Sequence, residues 1–133
     1  MKLKNGAEYI ESLRGLKPVI YYKGQRIKDV TRHSATASHV RAAAMTYALA
    51  GKEKYKDLAT TTSHLTGLTI SRFTHVHQNI EDLIKKIKLL RVLGQKTGTC
   101  FQRCVGFDGI NAVYSVAYEI DQKCGTDYFE RFK

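Results

Sequence analysis

No apolar run in this 133-residue chain approaches the roughly 20 residues a helix needs to cross a bilayer. Its first residues, Met1-Lys2-Leu3-Lys4-Asn5-Gly6, lack the apolar core of a secretory signal, so the expectation is a cytoplasmic protein with no membrane partner. Cysteine is scarce and odd in number, three in all, which argues against a disulfide framework. Common catalytic signatures are missing: there is no Walker A loop, no G-x-G-x-x-G and no G-x-S-x-G. The H-x3-H of a zinc finger is also absent, so His33, His39, His64, His75 and His77 have no diagnostic metal spacing and read as surface or hydrogen-bonded residues. Acidic residues are the minority, 12 against 22 basic, for a net charge of +10. That excess suits an anionic partner, whether nucleic acid, a phosphorylated cofactor or an acidic surface, or simply a soluble basic exterior.

What is present is ordinary globular sequence of single-domain length, able to bury a moderate core. Asn5, with Glu8 three residues on, predicts a capped helix over Gly6–Leu13, broken by Arg14-Gly15 and Pro18. Val19–Val30 carries β-branched and aromatic residues around Lys23-Gly24 and predicts a hairpin that must lie on something else. A polar connector leads to an alanine-rich helix, Val40–Ala50, with Gly51 as its C-terminal glycine, and then to a shorter helix over Lys52–Thr60. Residues 61–78 read as loop or short extended pieces, with Gly67 in a turn and Ile70 and Phe73 as apolar anchors. Asn79, with Asp82 at the third helical position, opens the clearest helix, whose stripe is Ile80, Leu83, Ile84, Ile87 and Leu90 and whose end is Gly94. Lys85, Lys86 and Lys88 would form its wet face. From Phe107, the residues Ile110, Val113, Tyr114, Ala117, Tyr118 and Ile120 predict a helix buried on a wide face and closed by Gly125. The tail from Thr126 looks like the start of another element. The sum is a mainly helical, bundle-like domain with one small hairpin.

Between the last two long helices lies Gly94-Gln95-Lys96-Thr97-Gly98-Thr99-Cys100-Phe101-Gln102-Arg103-Cys104. It looks superficially like a phosphate loop but follows a helix rather than a strand. Within a helical turn Cys100 and Cys104 would share a face and could offer two thiolates to one metal. They could equally be two small core side chains. Cys124 stands at the far end of a helix of roughly 25–30 Å and is too distant to join them. The tyrosines, Tyr21, Tyr22, Tyr114 and Tyr118 among them, could stack on bases, but packing with the hydroxyl at the edge is the simpler role.

Recognition goes further than spacing. The runs Thr62-Ser63-His64-Leu65-Thr66-Gly67, Arg72-Phe73-Thr74-His75-Val76-His77-Gln78, Glu81-Asp82-Leu83 and Leu93–Cys104 closely resemble the 4-hydroxybutyryl-CoA dehydratase/vinylacetyl-CoA isomerase branch of the 4-hydroxyphenylacetate 3-hydroxylase family. Tyr9–Leu13, Tyr21–Gly24 and Asp29–Thr31 fit as well, so the resemblance covers essentially residues 1–133. Ser34, where the family commonly has proline, departs from it. The resemblance implies the helical N-terminal domain of an acyl-CoA-dehydrogenase-like fold, without the family's middle β-domain and C-terminal helical domain. It implies that Cys100 and Cys104 are two ligands of a [4Fe–4S] cluster and that Gln102 lines the active site, a catalytic position. The other two ligands, a histidine and a cysteine, and most of the FAD site would come from the absent domains. It further implies an acyl-CoA substrate, a homo-oligomer (a tetramer in the family), no nucleic-acid partner and an incidental or buried Cys124. The expectation is an excised domain, a truncated frame or one piece of a split enzyme, inactive alone. The alternatives are a domain of a flavin-dependent monooxygenase of the same family and a non-catalytic basic helical binding module.

Overall fold

A computed structural model describes residues 3–99 and 103–132 of the chain, with the backbone alone for Arg103 and Cys104. The architecture is mainly helical, with two small antiparallel strand pairs. Asn5 starts α1 (Gly6–Gly15) by the reciprocal bonds its sequence foreshadows. Its Oδ1 accepts the Glu8 N–H at 2.9 Å, and the Glu8 carboxylate accepts the Asn5 N–H at 2.7 Å. Gly6 lies hard against α2 (Ala37–Ala50): a Cβ there would stand 3.0 Å from the Ala44 carbonyl oxygen. Along the same interface the Tyr9 and Tyr47 rings stack with centroids 4.6 Å apart.

The hairpin is β1 (Ile20–Tyr22) against β2 (Gln25–Ile27), with Tyr21 opposite Arg26. Lys23 and Gly24 both have positive φ, 49° and 77°, as a two-residue type I′ turn requires. Tyr21 and Tyr22 are exposed rather than in the core as expected, Tyr22 meeting His33 edge-on, and Ile27 and Val30 are what turn inward. So short a ribbon is covered on one side at most, which leaves its other positions in water.

Helix α2 starts three residues before Val40, because the turn Thr31–Thr36 feeds directly into it. Gly51 is not a left-handed terminator: its φ is −87°, and the chain passes through Lys52 straight into α3 (Glu53–Ala59). Residues 61–78 hold more structure than a loop. β3 (Thr60–Thr62) pairs with β4 (Thr69–Ser71) around Gly67, whose φ is 68°, and a single 3-10 turn follows at Arg72–Thr74.

Asn79 caps α4 (Ile80–Thr97), its side chain accepting the Asp82 N–H at 3.1 Å. The helix does not stop at Gly94. An interior glycine costs only about 1 kcal/mol, and the left-handed residue that closes the last turn is Gly98, at φ 65°. Then come α5 (Arg103–Cys124), ended by Gly125 at φ 64°, and the short α6 (Tyr128–Phe132).

The core is Leu49, Ala59, Phe73, Leu89 and Leu93, drawn from α2, α3, the 3-10 turn and α4. Of the stripe expected on α4 only Leu90 packs against this core. Ile80, Leu83, Ile84 and Ile87 are 74%, 42%, 44% and 50% exposed, while Leu89 and Leu93 are fully buried. Helix α5 behaves the same way: Phe107 and Ala117 are buried, but Val113, Val116, Tyr118 and Ile120 are exposed rather than forming a wide buried face. Periodicity identifies an apolar stripe, not which neighbour covers it. Lys86 is likewise no part of the wet face; it pairs with Asp108 and lies 4.8 Å over the Phe107 ring. Cys124 is exposed, not buried. Among the described residues no helix is long and apolar enough to cross a membrane.

Candidate functional site

The cysteine segment is bracketed by two helix ends. On one side Thr97 closes α4, its hydroxyl donating to the Leu93 carbonyl at 2.8 Å. On the other, the backbone of Cys104 is the second residue of α5. Cys100 and Gln102 lie outside the described residues, and so does the idea that Cys100 and Cys104 share a helical face. Cys124, the last residue of α5, is about 30 Å along the axis from Cys104. The two do not meet.

What the structure defines is how α5 is anchored just after Cys104. Three residues on, Phe107 is 1% exposed and sits edge-on to Phe73 at 6.4 Å and to His77 at 4.6 Å. Asp108 pairs with Lys86 on α4. One turn later Asn111 clasps the 75–77 segment: its Oδ1 accepts the His77 N–H at 2.8 Å, and its amide donates to the carbonyls of His75 and Phe107.

Beneath this lies a buried polar network that sequence reading missed. Arg72 is 3% exposed, and its guanidinium donates to the carbonyls of Leu58, Asp57 and Thr60 at 2.8–3.0 Å and to Asp82 Oδ1 at 3.2 Å. Asp82 Oδ2 accepts from His75 Nε2 at 3.1 Å and from the Gln78 N–H at 2.9 Å. Asp82 therefore does more than sit in the first turn of α4; it is the counter-ion of a buried arginine. Burial alone would raise its pKa, but the Gln78 N–H, His75 and Arg72 outweigh that and hold the carboxyl below its ordinary value. The one sequence signal was a run of His75, Val76, His77 and Gln78 beside an arginine and a capped acid, and nothing in it specified the partners.

The histidines divide by environment. His64 Nε2 is 3.2 Å from the Tyr114 hydroxyl, which ties the β3–β4 loop to α5. His75 Nε2 donates to a carboxylate, so in the neutral ring Nδ1 carries the lone pair. That Nδ1 and His77 Nε2 are buried without a hydrogen-bond partner among the described residues. His77 is pushed below its ordinary pKa by burial and by the Lys86 charge, so it is neutral at neutral pH. His33 Nδ1 accepts the Ala35 N–H at 3.2 Å, and its ring meets Tyr22 of the hairpin edge-on at 5.8 Å. Among the described residues no group of three or more His, Cys, Asp and Glu is placed to hold a metal ion.

Comparison with known proteins points to one family. Residues 5–133 match the family model described as 4-hydroxyphenylacetate 3-hydroxylase N terminal. The chain is 50% identical over 130 residues to the 4-hydroxybutyryl-CoA dehydratase/vinylacetyl-CoA-Δ-isomerase of Clostridium aminobutyricum, a match that covers 98% of this chain and 26% of that protein. Among solved structures it superposes on an oxygen-tolerant archaeal 4-hydroxybutyryl-CoA dehydratase from N. maritimus with a TM-score of 0.91 and 45% identity, over 98% of this chain and 26% of the other. The oxygenase component HpaB of 4-hydroxyphenylacetate 3-monooxygenase, solved with FAD, is similar at a TM-score of 0.60 and 27% identity, over 70% of this chain and 19% of the other. The chain thus spans about a quarter or less of the length of these relatives.

Proposed function

The chain belongs to the 4-hydroxyphenylacetate 3-hydroxylase family through its N-terminal domain, and from that premise we propose that it is the N-terminal portion of a dehydratase acting on 4-hydroxybutyryl-CoA, with the associated vinylacetyl-CoA isomerase activity. The observation that carries this is the 50% identity to the clostridial dehydratase over a span that includes Gly94–Cys104. The reading needs a [4Fe–4S] cluster and FAD. The donor set present suits the cluster in part: two thiols four residues apart, one of them in the first turn of a helix tied down by Phe107, Asp108 and Asn111. It does not suffice for four ligands, so the remaining two, and most of the flavin site, belong to domains that the relatives carry beyond this length. When bound, cluster and flavin would supply Lewis-acid and one-electron chemistry for loss of an unactivated proton and a hydroxyl group.

The chain's own part is positional. Cys100 and Cys104 would hold one side of the cluster, and Gln102 between them would line the active site. The Arg72–Asp82–His75 network would keep α4 and the 75–77 segment in register under α5, so that the cysteine helix starts from a fixed place. Joined to or coexpressed with the downstream domains, the protein should be brown and carry flavin absorbance, and Cys100→Ser and Cys104→Ser should each lose the iron while keeping the helical circular dichroism. Iron retained in both variants would refute the assignment. The isolated chain should show no dehydratase turnover.

The similarity to HpaB favours a second reading, a domain of a flavin-dependent monooxygenase. That enzyme would bind flavin with no iron, so metal content separates the two.

A further inference from the structure

An open cleft lies near the N-terminus, far in sequence from the cysteine pair. The C-terminal end of α1, the connector behind it and β2 enclose this cleft of about 510 Å³, in the range of small-molecule sites. Leu13, Pro18, Ile27 and Val30 supply its apolar surface, and Ile27 and Val30 are buried. Its charged lining is Arg14, Lys17, Arg26, Lys28 and Asp29.

Two of these five charges are already used. Asp29 accepts from Thr31 and lies 3.7 Å from both Arg14 and Arg32, while Arg14 also binds Glu11 and Thr31. Lys17, Arg26 and Lys28 have no carboxylate partner among the described residues. Arg26 lies within β2 and Lys28 directly follows the strand's last residue, and both line the cleft.

Lys17 adds an independent observation. It follows the α1 cap Leu16 with φ 45°, the left-handed position where helices commonly place glycine. The positive φ of Lys23 belongs to a type I′ turn beside Gly24, but nothing in the turn chemistry at residue 17 favours lysine. A lysine held in strained backbone at the lip of a cleft that collects unpaired cations is the pattern of a binding residue.

We infer that this cleft binds the phosphates of an adenine nucleotide through Lys17, Arg26 and Lys28, with the apolar lining against the base. Acyl-CoA and FAD both carry such a diphosphate. Three free cations suit coenzyme A better, because its 3′-phosphate adds charge that FAD lacks. Naming acyl-CoA as the occupant rests on the dehydratase reading above; recognition of the phosphates does not.

Calorimetric titration of the chain at low salt with coenzyme A, FAD, ADP and inorganic phosphate tests this. Coenzyme A should bind most tightly. Lys17→Gly should weaken it about fivefold, as expected for one partly exposed charge contact, while raising the melting temperature. The double variant Arg26→Ala/Lys28→Ala should weaken it more than about tenfold, and Lys52→Ala/Lys88→Ala, a control elsewhere on the basic surface, should leave it within about twofold. No binding, equal losses in cleft and control variants, or coenzyme A no tighter than phosphate would overturn the site. FAD binding more tightly than coenzyme A would overturn the acyl-CoA assignment. Cleft-dependent coenzyme A binding in a protein that takes up no iron with its downstream domains would instead overturn the dehydratase reading and leave the cleft standing.

Discussion

The guanidinium of Arg72 lies 3.2 Å from the carboxylate of Asp82, and their side chains are only 3% and 13% exposed. A buried pair of this kind contributes little over an apolar substitute but is costly to break from one side, because the surviving charge is stranded.

Asp82→Asn keeps the shape of the side chain but leaves Arg72 without its counter-charge. Urea denaturation should show a loss of about 3 kcal/mol. The double variant Arg72→Met/Asp82→Asn should lose less than the sum of the two single variants, because the stranded charge is gone. Strict additivity would mean that the pair is not energetically coupled.

Stability should fall in two steps as the solution is acidified. The folded-state pKa of His77 lies below the ordinary 6.5. Below that pH the unfolded chain takes up a proton that the folded protein resists, so His77's contribution is complete above 6.5 and declines beneath it. The pKa of Asp82 lies below 3.8, so its contribution is complete above that value and is lost as the pH falls through its folded pKa. Urea midpoints measured across pH should be flat above about 7. His77→Gln should remove the upper step, and Asp82→Asn should reduce the lower, to which Asp29, Asp57 and Asp121, also held below their ordinary value, contribute the rest.

Gly94 and Gly98 should respond oppositely to alanine. Gly94 is inside α4 with open space where a Cβ would go, so Gly94→Ala should stabilise by about 0.5–1 kcal/mol. Gly98 is left-handed at φ 65°, so Gly98→Ala should destabilise by about 1 kcal/mol. Thermal melts of the two variants would show whether the helix ends where the structure puts it.

The apolar faces left open on α4 and α5 should make the chain self-associate. Ile84 and Ile87 on one, and Val113 and Val116 on the other, are each 44–55% exposed. Light scattering should show mass rising with concentration, and Ile84→Lys/Val116→Glu should shift the protein toward monomer without lowering its helicity. A monodisperse monomer at all concentrations would contradict this. In the proposed enzyme these faces are where the remaining domains would pack.

Much of the local structure was legible in the residues themselves. Asn5 with Glu8, Asn79 with Asp82 and Lys23 with Gly24 specify two helix starts and a turn through bonds that span three or four residues. The C-x3-C segment, read with its flanks, pointed to a family that the comparisons then identified. Tertiary structure decided what depends on distant partners. It chose Leu89 and Leu93 over Ile84 and Ile87 as the buried edge of α4, because α2 and α3 lie on that side. It paired Thr60–Thr62 with Thr69–Ser71, two segments too short and polar to announce themselves. It made Asp82 the counter-ion of Arg72 and gathered Lys17, Arg26 and Lys28 around one cleft. A cap is set by the chain's own reach, whereas a buried ion pair or a cleft needs side chains from separate elements brought together, and their spacing in sequence carries no record of that meeting.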